Sequence, residues 1–397
     1  MKRLLIIYLI IFTEILGFSM VIPVLPFLGL SLGLNAFQVG LILSLFSLCQ
    51  LFASPITGKL SDRFGRKPVL IFSQASTLAG FLLLGFASSV WILILARLVD
   101  GLFGSNMTVS QAYISDVTDP KDRTKYYGYS SAVFGAGLIF GPVIGGTLSI
   151  FNFSFPMFLA AGISGVSIIL VLIFLPESLT EKEHELKITF KDIIPIEETK
   201  RFFKQGAIRG IIISFFLYNF GFTLFISSFA LFGDAQLQLN SQHIGIFLTW
   251  VGILRVTLQT VLIEPLNKKF GENRVLISGI TALIISMSAI ALSFNFWYVF
   301  LPLIFLAYGT GVGRPILTSK LSKCVNKEET GVLMGVNNSF TSLVQIISPI
   351  LGGLFLVLLP SQVLPIVSAI IFLTFFISWR WTVGITIKRE NTQENEN

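Results

Sequence analysis

Charged residues are scarce in this sequence. Asp, Glu, Lys and Arg make up 12% of its 397 residues, whereas hydrophobic residues make up 53%. A soluble domain carries roughly 25% charged residues. Polar residues are therefore too few to cover a water-soluble body, and most of the surface is expected to face lipid. The 2 cysteines and 2 histidines are too few for a disulfide framework or a metal cluster, so we expect neither a metal nor a cofactor.

The hydrophobic residues fall into twelve stretches of the length that a membrane-spanning helix needs, about 20 residues. We number them as spans 1 to 12, at residues 4–28, 37–57, 68–88, 90–112, 126–149, 155–175, 208–232, 241–262, 274–293, 296–318, 331–355 and 362–382. This pattern predicts an all-α integral membrane protein with twelve transmembrane helices. Span 1 is too long for a cleaved signal peptide and has no cleavage site, so we expect it to remain in the protein.

The basic residues predict the orientation of these spans. All but three of the 28 lysines and arginines lie in or at the edge of the two termini and the loops that lead from an even-numbered span to an odd-numbered one. The exceptions, within spans, are Arg97, Arg255 and Arg314. Because cytoplasmic loops carry an excess of basic residues, both termini are expected in the cytoplasm. The net charge of +7 then reflects topology, and no nucleic-acid partner is expected.

The second half of the chain repeats the first. At one constant offset, residues of span 5 recur in span 11, as Gly128, Pro142, Gly145 and Gly146 recur in Gly335, Pro349, Gly352 and Gly353. Such repeats predict two six-helix halves, with the substrate site between them near the middle of the bilayer. The predicted divisions are a first half at 1–175, a linker at 176–207, a second half at 208–382 and a cytoplasmic tail at 383–397.

A charged, glycine-containing motif joins spans 2 and 3. Its candidate gate residues are Gly58, Asp62, Arg63, Gly65, Arg66 and Lys67. The two glycines permit a tight turn. The charged residues can form charge-assisted hydrogen bonds with neighbouring helix ends, or can serve only as topology anchors.

A second motif surrounds the proline of span 5. Its residues are Gly137, Gly141, Pro142, Gly145 and Gly146. A proline removes a backbone donor and kinks a helix, while glycines let a neighbouring helix approach closely. Tight packing without a role in the direction of transport is the alternative interpretation.

These motifs resemble those of the major facilitator superfamily, and in particular its twelve-span drug/proton antiporter branch. The first motif resembles G-x-L-a-D-r-x-G-r-k, the span 5 motif resembles G-x-x-x-G-P-x-x-G-G, and Leu16–Pro26 resembles L-G-x5-P-V-x-P. Span 4 resembles l-x-x-x-R-x-x-q-G through Arg97 and Gly101, with Asp100 at the usual Gln. The resemblance covers almost the whole chain. It implies the major facilitator fold, a monomer, a conformational gate after span 2 and an exporter motif in span 5.

Ionisable residues inside spans are candidate functional residues, because each costs about 2.5–3.5 kcal/mol at the bilayer centre. Glu14 lies near the middle of span 1, and Arg97 and Asp100 share one face of span 4. A nonpolar environment favours the protonated form of a carboxylic acid, whereas a nearby arginine favours the charged form. Glu14, with no basic neighbour in sequence, is therefore the predicted proton carrier. Arg97 and Asp100 are further candidates for proton coupling, or a structural ion pair, and the resemblance ties Arg97 to proton movement.

The predicted substrate cavity is apolar with a few polar groups. Its candidate residues are Phe18, Asn219, Arg255, Asn337 and Asn338. A polar amide in a bilayer needs a partner, whereas for the phenylalanine lipid contact or helix packing is the favoured alternative. Arg255 either faces the cavity or extends its charged end towards the cytoplasm.

Together these features predict a secondary active transporter in the cell membrane that exports amphipathic or hydrophobic small molecules by proton-coupled antiport and alternating access. Its expected partners are the transported molecule, protons and membrane lipid. The alternative is a uniporter, or an exporter of a native metabolite such as a sugar or lipid, without proton coupling. An enzyme is not expected, because the sequence offers no nucleophile–base or metal set.

Overall fold

The computed structural model describes residues 2–119, 122–179 and 195–396, and helices dominate these ranges. The first six spans are Lys2–Ser31, Ala36–Phe64, Arg66–Gly85, the broken span Val90–Phe103 with Asn106–Val117, Arg123–Leu148 and Ser154–Phe174. Spans 7 to 12 are Gly206–Leu237, Ser241–Phe270, Glu272–Ala291, Phe296–Ser322, Lys327–Leu358 and Val363–Glu396. A short helix, Ile196–Phe203, precedes span 7. Span 8 contains a π-helical segment at Leu258–Leu262.

The length and composition of these helices suit a bilayer. Among the described residues, 11 helices are long and apolar enough to cross a membrane, and Val363–Trp379 is a shorter apolar segment of span 12. Trp91 and Trp297, at the starts of spans 4 and 10, are 79% and 77% exposed. Tryptophan is enriched where a helix meets the membrane–water interface. The prediction of twelve membrane helices is confirmed.

Several predicted boundaries were wrong. Span 2 continues as a helix to Phe64, so Gly58 lies inside it and makes no turn. The reversal into span 3 is made by Gly65 alone, whose φ of 108° suits a residue without a Cβ atom. Span 8 likewise extends to Phe270. Span 12 continues to Glu396, through residues assigned from the sequence to the tail.

The chain divides into two compact units. Unit 1 comprises Met1–Ile193 with Gln238–Gly252, and unit 2 comprises Ile194–Leu237 with Ile253–Asn397. In unit 1, span 1 packs against spans 5 and 6, and span 3 packs against spans 4 and 6. In unit 2, span 7 packs against spans 11 and 12, and span 9 packs against spans 10 and 12. The same packing scheme therefore occurs twice, in the order that the sequence repeat indicates.

A close contact between a glycine and a serine occurs in each unit. A Cβ atom on Gly141 of span 5 would collide with Ser19 of span 1, and one on Gly352 of span 11 would collide with Ser228 of span 7. Because helices in lipid associate through close packing rather than through the hydrophobic effect, small residues at these crossings bring the backbones together.

Candidate functional site

Span 4 is interrupted between Phe103 and Asn106, where the sequence predicted one continuous helix. The Gly104 N–H donates to the Asp100 carbonyl at 2.8 Å, and the Gln50 side chain donates to the Gly104 carbonyl at 2.7 Å. Backbone groups freed inside a membrane need partners within the protein, and Gln50 provides one. A Cβ atom on Gly104 would lie 2.8 Å from the Thr77 hydroxyl oxygen, so the break requires glycine.

Polar side chains at this break connect Glu14 of span 1 with Asp100 of span 4. The Thr77 hydroxyl donates to Asp100 Oδ1 at 3.0 Å, and Asn106 Nδ2 donates to the Thr77 hydroxyl at 3.1 Å. Glu14 lines a pocket together with Thr77 and interacts electrostatically with Asp100. Thr77, Asp100 and Asn106 are all buried. The structure therefore brings two predicted carboxyl groups into one network.

Arg97 completes this network. Its Nη2 atom lies 3.6 Å from Asp100 Oδ2, so the expected i, i+3 ion pair is present. Arg97 is buried, yet its Nε and Nη2 atoms have no hydrogen-bond partner among the described residues. The guanidinium lies 5.5 Å from the centre of the Phe46 ring, and the Phe18 and Phe46 ring centres are 5.9 Å apart. Phe18 thus lies close to the charged cluster.

A small polar pocket opens beside Glu14. Besides Glu14 it is lined by Thr13, Gln74, Thr77, Ser164 and Ser167. Gln74 donates to the Ser167 hydroxyl at 3.1 Å. The sequence analysis missed Thr77, Asn106 and Gln74, although uncharged polar residues inside apolar spans were a usable signal, because each needs a partner there.

The first motif forms a charged cluster around Arg66. The Arg66 Nη1 atom lies 2.5 Å from the Asp62 carboxylate and donates to the Ser61 hydroxyl at 2.6 Å. The Arg66 Nε atom donates to the Asp116 carboxylate at 2.9 Å. Arg66 is buried, so its charge is compensated by two carboxylates. The sequence analysis did not identify Asp116, so its pairing with Arg66 was missed.

Glu177 caps the start of span 3. Its carboxylate accepts from the backbone N–H groups of Arg66 at 2.8 Å and Lys67 at 3.1 Å. These N–H groups have no partner within the helix, and an anion there also interacts favourably with the helix dipole. Lys67 donates to the Leu172 carbonyl at 2.9 Å, and Arg63 lies over the Phe64 ring. The gate residues are thus divided, with Arg63 and Lys67 outside the Arg66 cluster.

The span 5 motif contacts two other helices of unit 1. Gly137, Gly141 and Gly145 face the backbone of span 1, where a Cβ atom on Gly145 would lie 2.8 Å from Met20 Cα. Pro142 and Gly146 instead face the start of span 8, where a Cβ atom on Gly146 would lie 2.6 Å from the Ser241 carbonyl oxygen.

Hydrogen bonds accompany this packing. The Ser19 hydroxyl donates to the Gly137 carbonyl at 2.8 Å, and the Thr249 hydroxyl donates to the Ile139 carbonyl at 2.9 Å. A carbonyl oxygen has two lone pairs, so Gly137 and Ile139 can accept from a side chain of a neighbouring helix as well as within their own helix.

The remaining predicted cavity residues lie in unit 2. Asn219 is buried and its amide donates to the Thr341 hydroxyl at 3.4 Å, while that hydroxyl donates to the Asn337 carbonyl at 3.0 Å. Asn338 is exposed on another side of the same helix. Arg255 lies against span 10, apart from the two buried asparagines.

No metal-binding cluster was found where the structure describes the chain, since no three His, Cys, Asp or Glu residues are grouped there to hold an ion.

The sequence was compared with family models and with known proteins. The family model described as "Major Facilitator Superfamily" matches residues 7–256 and 211–396. The class H tetracycline resistance protein of Pasteurella multocida is 31% identical over 353 residues, which is 88% of each chain. Multidrug resistance protein 2 of Bacillus subtilis (strain 168) is 31% identical over 347 residues, covering 87% of this chain and 86% of that protein.

Solved structures agree on the fold. The crystal structure of the nucleoside transporter NupG has a TM-score of 0.79 at 13% identity, covering 96% of this chain and 99% of that one. The family resemblance predicted from the motifs is confirmed, and the chain is a multi-pass membrane protein of a transporter family, not an enzyme. The chain belongs to the Major Facilitator Superfamily.

Proposed function

We propose that this protein is a secondary active transporter that exports amphipathic or hydrophobic small molecules, drugs among them, in exchange for protons. The observation that carries the proposal is the position of Glu14, which shares a pocket with Thr77, the hydrogen-bond donor to Asp100. Relatives that cover most of the chain are named as tetracycline and multidrug resistance proteins, which supports drugs as substrates.

Glu14 is the proton carrier in this proposal, and Arg97 and Asp100 are its coupling partners. When Glu14 is charged, it repels the Asp100 carboxylate, which is paired with Arg97. When Glu14 takes up a proton, this repulsion ends and the pairing of Asp100 with Arg97 is strengthened. Protonation thereby changes which polar contacts span 1 and span 4 can make. A ligand or proton shifts a conformational equilibrium only through such differential contacts.

Coupling to protons supplies the energy for export. Each proton that moves inwards contributes about 2.3 kcal/mol per 100 mV of membrane potential, in addition to the pH gradient. The Arg97 N–H groups without a partner are available to Glu14 or to a polar group of the transported compound.

The two glycine-containing motifs take different roles. The Arg66 cluster, with Asp62 and Asp116, acts as the conformational gate, since several charge-assisted hydrogen bonds have to break before the ends of spans 2 and 4 can separate. The span 5 motif acts through its close contacts with spans 1 and 8, which fix the outward direction of transport. Both roles are suggested by the family resemblance and supported by these contacts.

The proposed setting is the plasma membrane of a bacterium, with both termini in the cytoplasm. The protein works as a monomer, and its two six-helix halves, at 1–175 and 208–382, alternate access to Phe18, Asn219, Arg255, Asn337 and Asn338. The distribution of basic residues supports the orientation, because the loops from odd-numbered to even-numbered spans contain none.

The test uses purified protein in liposomes with a pre-set pH gradient and an internal pH-sensitive dye. Tetracycline and the lipophilic cation tetraphenylphosphonium are added, and proton flux and compound uptake are measured for the wild type and for Glu14→Gln. We expect both compounds to release the gradient in the wild type, and Glu14→Gln to abolish this release.

Glu264→Gln is the matched control, because Glu264 lies at the surface in an ion pair with Lys268. It is expected to transport as the wild type does. Compound movement without proton flux in the wild type would instead identify an uncoupled transporter. Equal proton flux in wild type and Glu14→Gln would remove Glu14 as the carrier.

A further inference from the structure

Two arginines lie on the facing spans 8 and 10 of unit 2 without an acidic partner. The ion pairs of this unit join Arg201 with Glu329, Lys268 with Glu264, and Glu272 with Lys320 and Lys323. Among the residues that the structure describes, neither Arg255 nor Arg314 forms an ion pair. An isolated charge in a membrane is costly, and such residues are usually paired or exposed to a water-filled cavity.

Arg255 lies far from both ends of the helix of span 8. The helix extends from Ser241 to Phe270, and Arg255 is at its middle. At 1.5 Å per residue the C-terminal end of the helix is about 22 Å away. Span 8 is thus longer than the sequence indicated, which favours the predicted orientation of Arg255 towards the cavity.

Three polar side chains converge at this depth. The Arg255 stem lies against Gly311 of span 10, where a Cβ atom would be 3.9 Å from Arg255 Cγ. One turn further along span 10 is Arg314, and both arginines interact electrostatically. Tyr218 of span 7 is buried, donates to the Thr310 carbonyl at 3.3 Å and interacts electrostatically with Arg255.

The backbone of span 8 is irregular at the same place. The π-helical segment Leu258–Leu262 begins three residues after Arg255, and Gln259 within it donates to the Gly311 carbonyl at 3.2 Å. π-Helical segments interrupt helices frequently at functional sites, because the extra residue redirects the side chains around it. Here Arg255 and Gln259 both contact span 10 at Gly311.

We propose that Arg255, with Arg314 and Tyr218 beside it, binds an ionised acidic group of the transported compound, such as a carboxylate. The proposal rests on the transport function proposed above and identifies one class of its substrates, amphipathic molecules that carry an anionic group. Such a group supplies the counter-charge that Arg255 and Arg314 lack among the described residues. The planar guanidinium of arginine pairs with a carboxylate through two parallel hydrogen bonds, which also orients the ligand.

The test is a binding measurement on the purified full-length protein in detergent, with three probes of equal size. These are 2-naphthoate, its uncharged amide and 2-naphthylmethylammonium, and binding is followed by tryptophan fluorescence. The wild type is expected to bind the carboxylate at least tenfold more tightly than the amide, and the cation most weakly. A hydrogen bond to a charged group is worth enough for such a ratio.

Arg255→Gln should abolish the preference for the carboxylate, and Arg255→Lys should retain part of it, because lysine keeps the charge but not the two parallel hydrogen bonds. Arg274→Gln, at an exposed arginine of span 9, is the matched control and should bind as the wild type does. If Arg255→Gln is unstable, Arg255→Lys still tests the proposal, because a retained preference for the carboxylate shows that the site is folded in that variant.

Equal affinity of the wild type for carboxylate and amide would overturn the proposal, as would an unchanged preference in Arg255→Gln. Glu14→Gln separates this proposal from the transport function. We expect it to bind 2-naphthoate normally, because Glu14 belongs to unit 1. The liposome assay can show no proton coupling while the wild type prefers the carboxylate and Arg255→Gln loses that preference. In that case the binding site is supported and proton-driven export is refuted.

Discussion

Replacing Gly145 with alanine is expected to destabilise the protein through a single methyl group. The added Cβ atom would lie 2.8 Å from Cα and 2.9 Å from the carbonyl carbon of Met20 in span 1. Both are backbone atoms, so the contact is relieved only if one helix moves. Overpacking of this kind costs about 1–3 kcal/mol.

Gly162→Ala is the matched control. Gly162 also lies inside a helix of unit 1, but no atom lies within 4 Å of a Cβ placed there. Both substitutions gain up to about 1 kcal/mol from the higher helix propensity of alanine. This gain cancels in the comparison, so the free energy of unfolding of Gly145→Ala should be about 1–3 kcal/mol below that of Gly162→Ala.

The assay is equilibrium unfolding of the two purified variants by sodium dodecyl sulfate in mixed micelles, followed by tryptophan fluorescence. Transport by the same preparations in liposomes shows whether the helix displacement also reaches function. Equal unfolding of the two variants would refute the reasoning, because it would mean that spans 1 and 5 separate without cost at Gly145.

Three further predictions concern single side chains. Arg66→Gln should lower the free energy of unfolding by about 1.5–3 kcal/mol, since it removes charge-assisted hydrogen bonds to Asp62 and Asp116. Arg63→Gln should change it by less than about 1 kcal/mol, because Arg63 only covers an exposed ring, and similar losses in the two variants would contradict the cluster. Thr77→Val should cost about 1–3 kcal/mol by leaving two buried groups without their shared partner, and Thr77→Ser should restore stability if the hydroxyl is the cause. Burial raises the pKa of the Cys324 thiol, and Cys49→Ser leaves Cys324 as the one thiol that maleimide can label. Maleimide should therefore label the folded protein more slowly than the unfolded protein until the pH exceeds the raised pKa. Equal labelling rates near pH 8.5, the ordinary pKa of a thiol, would contradict this prediction.

The membrane character of this protein and the positions of most of its helices follow from composition and sequence length. An apolar run of about 20 residues has one stable arrangement in lipid, since every backbone group has to be bonded within the segment. The residues at which the helices end were less predictable. The charged residues from Lys59 to Arg63 indicate a loop in the sequence, but in the structure they extend span 2 as a helix beyond the apolar stretch.

The sequence also indicated part of the candidate site. Glu14, Arg97 and Asp100 were identified because ionisable groups are expensive in a bilayer, and helical spacing placed the last two on one face. Thr77 and Asn106 were missed because uncharged polar residues are common in membrane helices, and only contacts between spans 3 and 4 give these two a function.

Contacts between distant residues were decided by tertiary structure alone. No spacing relates Arg66 to Asp116 or to Glu177, which join it from the ends of spans 4 and 6. The position of Arg255 at the middle of its helix likewise became evident only from the full length of span 8. Sequence by itself determined which segments lie in the membrane, because that depends on local composition. Packing between helices determined which polar groups meet, because in lipid those contacts arise from the fit of whole helices.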